Sequence, residues 1–144
     1  MTSLAIATVM QASLLAASPA PSEFNQAYQQ SLNTGRPLVV LLGADWCPGC
    51  VVMKKRTIPE VARTGGLAGV EFAYVDVDQE RQLAGKLIQG KSIPQLIRFC
   101  PSEKGWKSQV LTGARPAEEV ATFVKACPKR SVFRFGAYQK PPSQ

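Results

Sequence analysis

Hydrophobic and polar positions follow different periods along the chain, and these periods predict its first elements. Apolar residues recur every fourth position in residues 23–32, which predicts an amphipathic helix with Ser22 as its cap. Residues 33–37 combine asparagine, glycine and proline and predict the turn that ends this helix. The run LVVLLGA, residues 38–44, is apolar throughout and predicts a strand buried on both faces.

The remaining pattern completes the order α-β-α-β-α-β-β-α. A helical pattern runs from residue 50 to residue 62, and we expect Pro59 to kink or end that helix. The further elements predicted are a glycine-rich loop, a strand over 70–77, a helix over 79–88 closed by Gly90, a strand over 93–100, a hairpin turn over 102–106, a strand over 107–113 and a helix over 115–126 with Pro116 in its first turn.

Composition divides the chain into a leader, residues 1–21, one domain, residues 22–127, and a tail, residues 128–144. The leader is apolar and rich in small residues, which is typical of a secretory signal, although it lacks a positive start. Polar residues interrupt its apolar run, so we expect no stable membrane span. The leader predicts an exported protein, periplasmic or secreted. A cytoplasmic protein with an apolar extension is the alternative.

The tail carries four basic residues and no acid: Lys129, Arg130, Arg134 and Lys140. Together with the formal net charge of +7, this excess could hold nucleic acid or an anionic membrane surface. The aromatic and basic pattern of an RNA-binding module is missing. We therefore interpret the tail as an irregular solvated segment and expect no specific nucleic-acid partner.

Cys47 and Cys50 form a CxxC motif between the first strand and the following helix. The chain contains no histidine, which excludes Cys-His proteases, Ser-His-Asp hydrolases and zinc sites with imidazole ligands. Unpaired N–H groups at a helix start lower the pKa of a cysteine thiol from about 8.5 toward about 7 or below. We expect Cys47 to be the nucleophile and Cys50 the resolving thiol, with Pro48 suited to the first helical turn.

Two other interpretations of the CxxC motif stay open. A four-cysteine zinc site would need Cys100 and Cys127, which are 27 positions apart and do not form a second motif, so no metal site is predicted. A non-enzymatic module could use the two thiolates to bind copper or another soft metal. The redox motif could also be idle in a domain that serves only for protein interaction.

The stretches PLVVLLGADWCPGC and SIPQLIRF resemble the thioredoxin-like superfamily over roughly residues 22–126. The resemblance implies an α/β fold with a central four-stranded mixed sheet flanked by about four helices. It implies a monomeric thiol–disulfide oxidoreductase that acts on protein disulfides, receives electrons from an upstream redox donor, and needs no cofactor besides its own Cys47–Cys50 disulfide. It also implies a cis peptide bond before Pro94 and a substrate-binding surface formed by Trp46, Pro48, Ile93 and Pro94.

Three departures from the family pattern concern this chemistry. The buried acid that the family carries six residues before the first cysteine is Leu41 here, and the family's partner lysine aligns with Tyr74. The dipeptide between the cysteines is Pro-Gly, whereas the family has Gly-Pro. The missing acid predicts a slower resolving step or another group in its place. The absence of histidine removes one route to a strong oxidant and favours a reductase.

In the inferred topology Cys100 and Cys127 lie at the same end of the domain. A disulfide between them would close a loop of about 28 residues and stabilise the fold by roughly 3–4 kcal/mol. Such a bond requires an oxidising compartment, in agreement with the leader. The alternative is two free thiols that pack as small apolar residues.

Overall fold

Helices pack on both faces of a four-stranded mixed sheet in the computed structural model, which describes residues 22–127. The strands are β1 (Leu38–Gly43), β2 (Glu71–Asp76), β3 (Gln95–Ser102) and β4 (Gly105–Thr112), in the spatial order β2-β1-β3-β4. The helices are α1 (Glu23–Thr34), α2 (Pro48–Val52), α3 (Ile58–Arg63), α4 (Arg81–Leu87) and α5 (Ala117–Lys125). This architecture confirms the α/β fold class. The leader and the tail lie outside the described residues.

Strand β1 is the centre of the domain. It pairs parallel with β2 and antiparallel with β3, and all six of its residues are buried. Val39 and Leu41 pack into one apolar cluster beneath α3 and α5, while Val40 and Leu42 pack into a second cluster beneath α1 and α4. A strand covered on both faces needs an uninterrupted apolar sequence, which explains the run LVVLLGA.

Both ends of α1 follow the predicted capping chemistry. The Asn25 N–H donates to the Ser22 Oγ at 3.3 Å, which satisfies one of the free N–H groups of the first turn. Gly35 ends the helix with φ at 67°, and its N–H donates to the Ser31 carbonyl at 2.8 Å. The chain is then directed into β1.

Pro59 does not end the second helical region, although that is one of the two outcomes expected for it; the helix instead changes its geometry just ahead of the proline. A π-helical turn, Met53–Thr57, joins α2 to α3 without a break, and α3 continues beyond Pro59 to Arg63. The Ile58 N–H donates to the Met53 carbonyl, five residues earlier. This wider turn changes the bonding pattern just ahead of the proline, which has no N–H to donate.

Several boundaries also differ from the predicted ones. β3 begins at Gln95 and continues to Ser102, because it pairs with β4 as far as Gly105. α4 begins at Arg81, since the residues before it form a turn at the end of β2. Pro116 is the N-cap of α5 and lies outside its first turn.

The end of the domain away from the CxxC motif is tied together by two contacts. Buried Arg98 on β3 donates to the Phe123 carbonyl near the end of α5 and to the Gln109 Oε1, and burial lowers the pKa of its guanidinium. Cys100 and Cys127 are joined in a disulfide, with Cα atoms 5.7 Å apart.

Among the described helices, none is long and apolar enough to cross a membrane.

Candidate active site

Cys47 and Cys50 lie where β1 ends and the helical run 48–63 begins. Cys47 is the N-cap of α2 with extended backbone angles, and Pro48 occupies the start of the helix. The two cysteines form a disulfide with Cα atoms 5.2 Å apart. Cys47 is 7% exposed and Cys50 1% exposed, so Cys47 is the sulfur nearer to solvent.

The Cys47 sulfur receives the hydrogen bond of a helix N-cap. The Cys50 N–H donates to the Cys47 Sγ at 3.2 Å, and the Val51 N–H donates to the Cys47 carbonyl at 3.0 Å. The helical run continues to Arg63, so the positive end of its dipole is directed at Cys47. This arrangement favours a thiolate at Cys47 once the disulfide is reduced.

The loop before β3 lies directly beside the disulfide. The Ile93–Pro94 peptide bond is cis, and the Ile93 carbonyl oxygen is 3.9 Å from the Cys47 Sγ. A Cβ atom placed on Gly49 would stand 3.4 Å from the Pro94 Cδ, so the CxxC turn packs against this proline. Residues 47 positions apart in sequence therefore meet at one edge of the sheet: Cys47 and Pro94.

Trp46 projects from the surface next to the disulfide. Its side chain is among the most exposed large apolar groups of residues 22–127, at 69%. The indole Nε1–H donates to the Asp78 Oδ2 at 2.6 Å, which anchors the ring without covering it. Asp78 was not predicted from the sequence as a site residue. Its position just after the second strand, at the same edge of the sheet as the CxxC motif, could have indicated it.

Leu41 and Tyr74, two of the three departures from the family pattern, are direct neighbours in the sheet. They are register partners in the parallel pair β1–β2, and Leu41 is fully buried. The Lys54 Nζ lies 4.0 Å from the centroid of the Tyr74 ring and 3.6 Å from an Asp45 carboxylate oxygen. The Lys54 ammonium therefore lies over the ring of Tyr74, the residue that aligns with the family's lysine.

Burial, followed in order of effect by the carboxylates of Asp76, Asp45 and Asp78, raises the pKa of Tyr74 to about 12. The hydroxyl thus stays protonated across the physiological pH range. Tyr74 can donate a proton in a hydrogen bond, but it cannot serve as a base near neutral pH.

Gly43 allows β1 to approach Cys50 closely. A Cβ atom at this position would stand 3.0 Å from the Cys50 Cβ, 3.4 Å from the Cys50 Sγ and 3.3 Å from the Tyr74 Cε2. These distances leave no room for a side chain unless Cys50 or Tyr74 moves. Glycine fits here without displacing either neighbour, and the sequence pattern gave no indication of this close approach.

A family model described as thioredoxin-like matches residues 20–99, which is more than half of the chain. The chain belongs to the thioredoxin-like family. No curated protein matches it.

Solved thioredoxins share the fold of this thioredoxin-like domain. One from Thermus thermophilus is 25% identical, with a TM-score of 0.58, over 72% of this chain and 82% of its own. One from Trichomonas vaginalis is 20% identical, with a TM-score of 0.57, over 73% and 90%. One from Fasciola hepatica is 24% identical, with a TM-score of 0.53, over 70% and 91%.

The structure separates the predicted site residues into two groups. Near the disulfide lie Trp46, Cys47, Pro48, Cys50, Ile93 and Pro94. Cys100 and Cys127 lie at the other end, because β3 runs antiparallel to β1 and reaches Cys100 far from its start. The second disulfide therefore takes no part in the site.

We expect Gly43→Ala to lower the free energy of unfolding by about 1–3 kcal/mol, because the new methyl group overpacks the contact with Cys50. Urea unfolding measures the effect. Gly85→Ala is the matched control: Gly85 lies within α4 with open space around it, and alanine there should stabilise the helix by up to about 1 kcal/mol. Equal effects of the two substitutions would contradict the close approach at Gly43.

Proposed function

We propose that the protein is a thiol–disulfide oxidoreductase that acts on protein disulfides and works as a reductase. One observation carries the proposal: Cys47 caps a helix, accepts the Cys50 N–H at 3.2 Å and lies 3.9 Å from the carbonyl before cis-Pro94. An activated sulfur, a second sulfur within bonding distance and an adjacent loop are the parts that disulfide exchange requires.

The reaction proceeds in two exchange steps. The Cys47 thiolate attacks one sulfur of a substrate disulfide, forming a mixed disulfide and releasing the other substrate sulfur as a thiolate that takes up a proton. The Cys50 thiol then loses its proton and attacks the Cys47 Sγ. The Cys47–Cys50 bond forms, the bond between Cys47 and the substrate breaks, and the second substrate thiol leaves. Two electrons pass from the protein to the substrate, and an upstream redox donor restores the dithiol.

The surface around Cys47 suits an extended peptide segment. Trp46 offers an exposed aromatic face, and its bond to Asp78 holds that face in place. The backbone at Ile93 runs beside the sulfur and can pair with a substrate strand. Binding through backbone and one aromatic ring would accept many protein substrates.

The first experiment compares the two cysteine variants in an extract or with a disulfide-containing protein. Cys50→Ser should trap substrates in mixed disulfides with Cys47, because the resolving thiol is missing. The Cys47→Ser variant is the matched control and should trap none. Non-reducing gel electrophoresis followed by mass spectrometry measures the trapped species. Trapping by the Cys47→Ser variant would reverse the assigned roles of the two cysteines. Trapping by neither variant would contradict the proposed activity.

The direction of electron flow has its own test. We expect a reduction potential for the Cys47–Cys50 pair nearer to about −270 mV, typical of a reductant, than to about −120 mV, typical of a strong oxidant. Equilibration with glutathione and with dithiothreitol buffers, followed by thiol alkylation, gives this value. A potential near −120 mV would make the protein an oxidant. Stoichiometric copper bound after purification under reducing conditions would instead favour the soft-metal alternative.

A further inference from the structure

We propose that Asp76 accepts the proton of the Cys50 thiol in the resolving step, in place of the acid that the family carries at the position of Leu41. This inference rests on the proposed function, since it assigns a residue to the second exchange step. The resolving thiol of a dithiol site must lose its proton before it can attack the mixed disulfide. A buried thiol needs a nearby base for this, because water has little access to it.

Asp76 is buried, at 8% exposure, and among residues 22–127 it is the only acidic side chain that is. It is the last residue of β2 and lies opposite Gly43 in the register of the parallel pair β1–β2. Side chains alternate along a strand, so Asp76 lies on the same face as Tyr74. That face carries the cluster with Leu41 and Met53, beneath the helical run that begins at Cys47.

Gly43 is close in space both to Asp76, its register partner, and to Cys50. Neighbouring strands lie about 4.8 Å apart, so the backbones of Gly43 and Asp76 are adjacent. The Cys50 Sγ stands 3.4 Å from the point where a Gly43 Cβ would be. Because Gly43 has no side chain, β1 contributes no group at this point, where the Cys50 Sγ and the Tyr74 Cε2 approach it. The carboxylate on β2 lies next to the same point by register, and the inferred proton transfer runs from the sulfur to the carboxylate directly or through one water molecule.

The Asp76 carboxylate is held in a fixed orientation. Its Oδ1 accepts hydrogen bonds from the N–H groups of Asp78 at 2.9 Å and Gln79 at 3.1 Å. These bonds close the turn that leads into α4. They leave Oδ2 as the oxygen that receives the proton.

The other charged groups near Asp76 are less suited to this role. Tyr74 stays protonated, because burial and the neighbouring carboxylates raise its pKa to about 12. Lys54 pairs with Asp45, whose side chain is 74% exposed. Asp78 is exposed and bonds Trp46. Glu80, whose pKa is raised by burial, Glu23 and Asp76, lies at the N-cap of α4, beyond the end of β2 and away from the register position opposite Gly43.

The step balances with the groups named. The Cys50 S–H bond breaks, its proton passes to the Asp76 Oδ2, and the thiolate attacks the Cys47 Sγ. The Cys47–Cys50 bond forms as the bond between Cys47 and the substrate sulfur breaks. The departing substrate thiolate then takes up a proton from the solvent or from the carboxylic acid of Asp76, which restores the carboxylate.

The test uses two substitutions that differ in one property. Asp76→Asn keeps an oxygen that can accept the N–H groups of Asp78 and Gln79, so it preserves the turn but cannot take up a proton. Asp45→Asn removes the same charge from an exposed position near Tyr74 and serves as the control. Each reduced protein is mixed with an aromatic disulfide that releases a coloured thiolate. Stopped-flow absorbance then separates the first release, by Cys47, from the second, by Cys50.

We expect Asp76→Asn to slow the second release about tenfold or more at pH 7 and to leave the first within about twofold of the wild type. Raising the pH to 9 should restore much of the lost rate, because hydroxide then replaces the missing base. Asp45→Asn should change neither release by more than about twofold. A purely structural role of Asp76 predicts no pH-dependent rescue.

Two outcomes would overturn the inference and leave the proposed function intact: an unchanged second release in a folded Asp76→Asn protein, or equal slowing by Asp45→Asn. Circular dichroism and the melting temperature establish that each variant is folded. If Asp76→Asn does not fold, Asp76→Gln and a stability-matched comparison with Asp45→Asn replace it under the same criteria. Loss of the first release in the wild-type protein would instead contradict the proposed function itself.

Discussion

The hydrogen bond from the Cys50 N–H to the Cys47 Sγ joins the fold to its chemistry. It exists because a helix begins at Pro48, separated by four residues from the end of a strand that is buried along its whole length. The same bond caps the helix, brings the second cysteine within bonding distance and directs the helix dipole at the first sulfur. Stability and reactivity at this position therefore have one structural origin.

The centre of the sheet imposes the remaining constraints. Leu41 fills the position of the family's buried acid, so β1 offers no base to Cys50. The neighbouring strand presents Tyr74 and Asp76 on the same face, and the small size of Gly43 lets Cys50 pack close to β1 beside them. The acid that the family carries on β1 is thus absent, and the charged groups in this region include Asp76 on β2 and Lys54 on the helical run. In a sheet, groups on β1 and β2 stay close because adjacent strands are only about 4.8 Å apart.

Much of this fold could be predicted from the sequence, because local chemistry determines it. Ser22 and Gly35 bound α1, and the apolar run of β1 permits little besides a buried strand. The CxxC motif and the Ile93–Pro94 pair identified the site from short stretches. Each of these signals lies within a few residues of the feature that it predicts.

The errors and omissions have a different cause, since they depend on contacts between distant segments. The π-helical turn ahead of Pro59 and the extension of β3 to Ser102 are set by packing and by pairing with β4. The tight space at Gly43 is visible only when Cys50 is placed beside it. The hydrogen bond between Trp46 and Asp78, and the position of Asp76 opposite Gly43, depend on the placement of β2 next to β1.

Differential alkylation tests the central claim most directly. The reduced protein is treated at pH 7 with a limiting amount of iodoacetamide, and mass spectrometry locates the modified cysteines. We predict that Cys47 is modified first and faster than a cysteine in an unstructured peptide, while Cys50 remains protected by burial. Equal modification of Cys47 and Cys50, or a Cys47 no faster than the peptide, would contradict a helix-activated nucleophile.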